Sequence, residues 1–180
     1  GHYSPGSTYK AILAAAALED PSFDPKRTHF CPGYFQLGRH VYRCWKRDGH
    51  GPVDLARAIL RSCDVYFYKL GLEIGIDRLA DIAGRFGLGK KTGIGLEGET
   101  TGLVPTREWK ERIYNDAWQK GETVLASIGQ GFSLVTPIQL AVAYAAIGNR
   151  GGGVVPRLVN RLESWDGELV EEVAVRKTGD

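Results

Sequence analysis

Along most of the chain, apolar residues recur at helical rather than alternating intervals. Residues 8–19 carry the run Ala11-Ile12-Leu13-Ala14-Ala15-Ala16-Ala17-Leu18. Alanine and leucine are strong helix formers, Pro5-Gly6 suits a helix entry, and Asp20-Pro21 predicts the stop, because proline disfavours helical geometry in the residue before it. Apolar positions at 53, 56, 59 and 60 predict a second helix over 53–60, opened by Gly51-Pro52. Val65-Tyr66-Phe67-Tyr68-Lys69-Leu70-Gly71-Leu72 predicts a third, more aromatic one, and 76–86 a fourth, stopped at Gly87-Leu88-Gly89. Residues 26–45, rich in aromatic and β-branched side chains with turn signals at Pro32-Gly33 and Leu37-Gly38, read as irregular hairpin structure.

The second half is more broken. Glycine and threonine dominate 90–105 and predict an extended surface loop. Thr106 suits the N-cap of a short helix over 107–113, and another over 122–128 ends at Gly129-Gln130-Gly131. Thr136-Pro137 combines an N-cap with proline at the first helical position, and 138–147 is apolar nearly all round, which predicts a buried helix. The tail offers strand-like Val154-Val155, Leu158-Val159 and 169–175, with an Asp166-Gly167 turn. Helix outweighs strand.

Composition narrows this little. At 180 residues, 43% apolar and 24% charged, the chain is long enough for one domain with a real core. The net charge of +2 is small and dispersed, which argues against a nucleic-acid partner, and no apolar run approaches the roughly 18–20 residues that cross a bilayer. The chain has no methionine and no signal-peptide pattern, and its most motif-like segment begins at residue 3, so it is expected to be a piece of a longer protein.

Candidate chemistry begins at Ser7 and Lys10. A spacing of three places both side chains on one helical face, so that the amine comes within reach of the hydroxyl and can act on its proton, a way to activate serine without histidine. The N-terminus of the same helix offers free N–H groups for developing negative charge. Alone, the pattern equally suits a capping serine and a solvated lysine, and its place near the start of the chain suggests a frayed end. Between the two central helices lies Arg61-Ser62-Cys63-Asp64, where Ser62 and Asp64 either point into one cleft or simply cap the following helix. Cys31, Cys44, His50 and Cys63, at intervals of 13, 6 and 13, form a second constellation. Three thiolates and an imidazole match a closed tetrahedral zinc site, while a Cys31–Cys44 disulfide or three unpaired thiols are the alternatives. His2, His29 and His40 read as ordinary surface or packing residues.

Ser-x-x-Lys belongs, with a Ser-Asp-Asn-type element and Lys-Thr-Gly, to the signature of penicillin-binding proteins and β-lactamases. The chain resembles the elongation-type class B penicillin-binding proteins over nearly its whole length. The matching segments are Tyr3-Ser4-Pro5-Gly6-Ser7-Thr8-Tyr9-Lys10, Gly49-His50-Gly51-Pro52-Val53-Asp54-Leu55 and Ser62-Cys63-Asp64-Val65-Tyr66-Phe67-Tyr68. They continue with Phe86-Gly87-Leu88-Gly89, Thr92-Gly93-Ile94-Gly95-Leu96, Pro105-Thr106-Arg107-Glu108-Trp109-Lys110 and Ile128-Gly129-Gln130-Gly131, leading to Val135-Thr136-Pro137-Ile138-Gln139-Leu140. The resemblance implies the helical portion of an α+β serine-transpeptidase fold, mainly α with minor β and lacking most of the central sheet. Residues 1–180 would form one fragment of the transpeptidase domain, with an irregular hairpin or metal-site insert at about 26–50.

The implied activity is peptidoglycan D,D-transpeptidation in cell-wall elongation and cell shape, through an acyl-serine that β-lactam antibiotics also form. Ser7 would be the nucleophile, Lys10 the general base, Ser62 a proton relay, and Asp64 stands where many relatives have asparagine. Lysine normally titrates near 10.4, so Lys10 would need burial or nearby positive charge to be neutral for part of the time. No cofactor is implied for the chemistry. Some relatives bind zinc in this region, which implies a structural Zn²⁺ on Cys31, Cys44, His50 and Cys63. Implied partners are stem peptides, β-lactams and the membrane proteins of wall elongation, at the periplasmic face of the inner membrane, with the anchor outside this chain.

Lys91-Thr92-Gly93 and Lys177-Thr178-Gly179 both depart from the family's active-site triplet, which is followed by Thr-Ala and lies further beyond Gly-Gln-Gly. Both are therefore expected to be decoys, and the fragment alone is expected to be inactive. A class D β-lactamase or penicillin-sensor domain would share Ser-x-x-Lys without explaining 128–140. A zinc-stabilised structural module without activity is the reading from another class.

Overall fold

The computed structural model describes residues 1–177. A 3₁₀ turn, Gly6–Tyr9, runs directly into α1 (Lys10–Leu18). Ile12, Leu13, Ala14, Ala16 and Ala17 are all buried, so the alanine-rich run is the central helix, small enough for neighbours to approach on several sides. α3 (Asp64–Ile74) and α4 (Ile76–Arg85) pack against it. α3 contributes Val65, Tyr66, Phe67, Tyr68 and Leu70 to the same core.

The predicted helix over 53–60 is shorter than its periodicity suggests. Gly51–Val53 is a strand, β4, paired antiparallel with β1 (His29–Cys31). The helix α2 (Leu55–Leu60) starts only after Asp54, whose carboxylate accepts from the Arg57 N–H as an N-cap. Val53 is buried from the strand side, so its apolar character marks the core rather than the helix. β2 (Tyr34–Leu37) and β3 (His40–Arg43) form the expected hairpin around Gly38.

The loop over 90–105 has no helix, and α5 (Arg107–Tyr114) begins at the Thr106 cap. α6 (Lys120–Ala126) packs on α3 at Gly71, where a β-carbon would lie 2.4 Å from Ser127 Cβ. α7 (Pro137–Gly148) is not the buried helix its composition predicts: Gln139, Ala143 and Ala146 are buried, but Tyr144 and Ile147 are 44% and 42% exposed. In the tail, β5 (Arg161–Glu163) pairs with β6 (Leu169–Glu172), Val154 bridges Lys177, and Leu158-Val159 lies outside any strand.

The start of the chain is tied down rather than frayed. Tyr3 exchanges two backbone hydrogen bonds with Val135, at 2.8 and 2.9 Å. Gly6 N–H and the Ser4 hydroxyl both donate to the Gly129 carbonyl, at 2.9 and 2.6 Å.

Candidate active site

Ser7 stands on the 3₁₀ turn and Lys10 opens α1. The Lys10 amine does not bond the Ser7 hydroxyl directly, as the spacing alone suggests. Nζ donates instead to Asp64 Oδ1 at 2.6 Å, Ser62 Oγ at 2.9 Å and the Ser62 carbonyl at 3.0 Å. Ser62 Oγ in turn donates to Ser7 Oγ at 3.2 Å. The four side chains form one line, Ser7–Ser62–Lys10–Asp64, with Ser62 between the nucleophile candidate and the amine. Lys10 is 3% exposed and lies 5.6 Å from the Phe67 ring centroid. Three acceptors satisfy the buried amine's donors.

Local structure aims these groups. α2 ends at Arg61, and Ser62 adopts φ +49°, in the left-handed region where a residue with a β-carbon costs about 1–2 kcal/mol. Cys63 N–H closes back onto the Ala58 carbonyl at 2.9 Å, and Asp64 begins α3. That reversal between two helices turns Ser62 toward Ser7 and Asp64 toward Lys10. The second Asp64 oxygen, Oδ2, accepts from the Trp45 backbone N–H at 2.9 Å. Ser7, Trp45, Ser62, Asp64, Ile128 and Gln130 line a cleft of about 640 Å³.

Gly129 supports the nucleophile's turn from below. Its φ is +68°, and a β-carbon there would lie 2.3 Å from the Gly6 carbonyl oxygen and 2.7 Å from Tyr9 Cβ. Tyr9 is buried, and that burial pushes its phenol well above the usual tyrosine range.

Behind the Ser62 turn, Cys31, Cys44, His50 and Cys63 are all buried, with ligand atoms within 4.8 Å of one another. The three cysteines are free thiols. Cys31 and Cys44 Sγ each lie 3.6 Å from His50 Nδ1. A tetrahedral zinc with metal–sulfur bonds of about 2.3 Å and metal–nitrogen bonds of about 2.0 Å has a sulfur–nitrogen edge of about 3.5 Å, so the four residues fit such an ion. The hydrogen bond between the Cys44 and Cys63 thiols pulls Cys44 down to about 5 and pushes Cys63 up. His50 Nε2 is buried without a protein partner.

Lys91-Thr92-Gly93 does not join the cleft's lining. Thr92 gives both its N–H and its hydroxyl to Glu99, at 2.6 and 2.5 Å, which closes the loop on itself. In the second copy Lys177 bridges Val154, and Thr178-Gly179 lies outside the described residues. Of the groups that shape the cleft, sequence reasoning missed Trp45. Its one available signal was an aromatic next to a candidate metal ligand. No helix among the described residues is long and apolar enough to cross a membrane.

The sequence profile of the penicillin binding protein transpeptidase domain matches residues 1–178. The peptidoglycan D,D-transpeptidase MrdA of Acinetobacter baumannii is 45% identical over 161 residues, covering 88% of this chain and 24% of that protein. Its counterpart from Escherichia coli K12 is 40% identical over 161 residues, covering 88% of this chain and 25% of that protein. Among solved structures, PBP2 of Pseudomonas aeruginosa in complex with WCK 5153 superposes with a TM-score of 0.84 at 41% identity, covering 98% of this chain and 40% of that one. PBP2 of Helicobacter pylori in complex with MreC gives a TM-score of 0.84 at 38% identity, covering 87% and 29%. The chain spans about a quarter of the length of the curated relatives it matches.

Proposed function

The chain belongs to the penicillin-binding protein transpeptidase family, and from that premise we propose that the protein carrying it is a serine-type peptidoglycan D,D-transpeptidase of cell-wall elongation, with Ser7 as its nucleophile. The observation that carries this reading is the hydrogen-bonded line from Ser7 through Ser62 to Lys10 and Asp64, opening on a cleft.

Ser7 Oγ attacks the carbonyl carbon of the penultimate D-alanine of a stem peptide. As that bond forms, the hydroxyl proton passes to Lys10, with Ser62 as the intermediate carrier. Lys10 must first release a proton of its own, and Asp64 Oδ1 at 2.6 Å is the acceptor beside it. The Ser7 N–H supplies one donor to the developing oxyanion. The carbon–nitrogen bond then breaks, and the terminal D-alanine leaves with a proton delivered through Ser62. An amine from a neighbouring strand resolves the ester, and a β-lactam ring is opened by the same attack.

Cys31, Cys44, His50 and Cys63 would hold a structural Zn²⁺, and the 26–50 segment would serve as the insert that supplies three of these ligands. When bound, the ion fixes Cys63, and with it the turn carrying Ser62 and Asp64. We place the full-length protein at the periplasmic face of the inner membrane, among membrane proteins of wall elongation. The Helicobacter pylori relative in complex with MreC supports that assignment.

Fluorescent penicillin labelling of the full-length protein tests the reading. Covalent labelling that disappears in Ser7→Ala is expected; labelling that persists in Ser7→Ala overturns it.

A further inference from the structure

We infer that Trp45 is a positioning residue for the acyl-transfer step, clamping the Ser62 turn through its indole N–H and Asp64 through its backbone N–H. This rests on the reading of Ser7, Ser62 and Lys10 as the reacting groups.

The turn needs a clamp. Ser62 carries a β-carbon at φ +49°, a conformation that non-glycine residues hold only where the surroundings over-determine it. Two side chains reach its carbonyl: Lys10 Nζ at 3.0 Å and Trp45 Nε1 at 3.1 Å. Lys10 is the group that must gain and lose a proton during the reaction, so its bond to that carbonyl is not constant through a turnover. The indole N–H does not titrate. It also donates to the preceding carbonyl, Arg61 O, at 3.0 Å, so one rigid ring holds two successive peptide units. The Trp45 main chain meanwhile donates to Asp64 Oδ2 at 2.9 Å, fixing the carboxylate that faces Lys10.

The residue's surroundings fit a clamp rather than a packing role. Trp45 is 63% exposed, yet its single polar atom is turned inward onto backbone oxygens. Its ring stands edge-on to His50, with centroids 5.3 Å apart, and the adjoining Cys44 N–H is tied to the Gly33 carbonyl at 2.8 Å. The bend after β3 that carries the indole is therefore anchored, and the indole in turn holds the catalytic turn. The Ser62–Ser7 contact is already 3.2 Å. If the turn relaxes toward ordinary helical φ, Ser62 Oγ swings away from Ser7 and the relay opens.

The test replaces Trp45 in the full-length protein by 3-benzothienylalanine, in which sulfur stands for the indole N–H at nearly the same shape, and separately by Trp45→Phe. Stopped-flow acylation by a β-lactam separates the non-covalent dissociation constant from the acylation rate constant. The acylation rate constant is expected to fall about tenfold or more in both variants, with the dissociation constant within about twofold of wild type in the benzothienyl variant, which keeps the shape of the cleft wall. Bound metal and thermal midpoint are expected to be unchanged in the benzothienyl variant. A benzothienyl variant that acylates at the wild-type rate overturns the inference, as does a loss confined to the dissociation constant. Wild-type protein that is not acylated at Ser7 fails the transpeptidase reading itself, a separate and recognisable result.

Discussion

At the scale of single residues, sharing of hydrogen bonds decides what each group can do. Cys44 shows this best. Its thiol is pulled down to about 5, first by the hydrogen bond from Cys63, and so offers a thiolate at neutral pH. Metal capture requires deprotonated sulfur, so bound zinc is expected to be lost as the pH falls and protons compete for the thiolates. Metal analysis after dialysis across pH 4–8 checks the limb. Cys44→Ser is expected to leave less than about a tenth of an equivalent of zinc and to lower the thermal midpoint by several degrees. The three cysteines and His50 were legible in the sequence because metal-ligand chemistry is confined to few residue types. Trp45 was not, because its role depends on two carbonyls that come near it only when α2 turns into α3.

Elements come next, and here periodicity succeeded where one face of a helix meets the core and failed where it does not. α1 and α3 were readable from composition alone. Periodicity over-extends α2 because Val53 is apolar for a strand's reasons, and the apolar run of α7 predicts burial although two of its large side chains face solvent. What anchors α7 is polar: Gln139, 1% exposed, accepts from Thr136 N–H at 2.7 Å and donates to the Lys90 and Thr101 carbonyls at 2.6 and 2.8 Å. One amide therefore caps its own helix and ties down both ends of a glycine-rich loop. Gln139→Leu leaves those backbone groups unpaired and is expected to cost about 2–3 kcal/mol in urea unfolding, with protease cutting moved into 90–105. A change under about 0.5 kcal/mol would show that water replaces the amide.

The whole molecule is organised by closure between distant segments. Residues 3–6 lie against 129–135, more than 120 positions away, and that contact holds Ser7 at the start of α1. Gly129→Ala is expected to be severe, since a β-carbon at φ +68° meets the Gly6 carbonyl at 2.3 Å and no flexible side chain can yield. A loss of at least about 2 kcal/mol by denaturant unfolding is expected, together with slower penicillin labelling as the Ser7 turn is displaced. Unaltered stability with unaltered labelling would mean that the two segments are not coupled. The sequence by itself determined the helical class, the order of the segments and the eight candidate site residues, because side-chain identity and local spacing are properties of the chain. Only the tertiary structure decided that Lys10 reaches Ser7 through Ser62, that the start of the chain is anchored, that four scattered candidate ligands lie together and that the Trp45 indole meets the two carbonyls between α2 and α3. Each of these is a meeting of groups that local spacing does not encode, brought together when burial of α1 and α3 folds the chain around them.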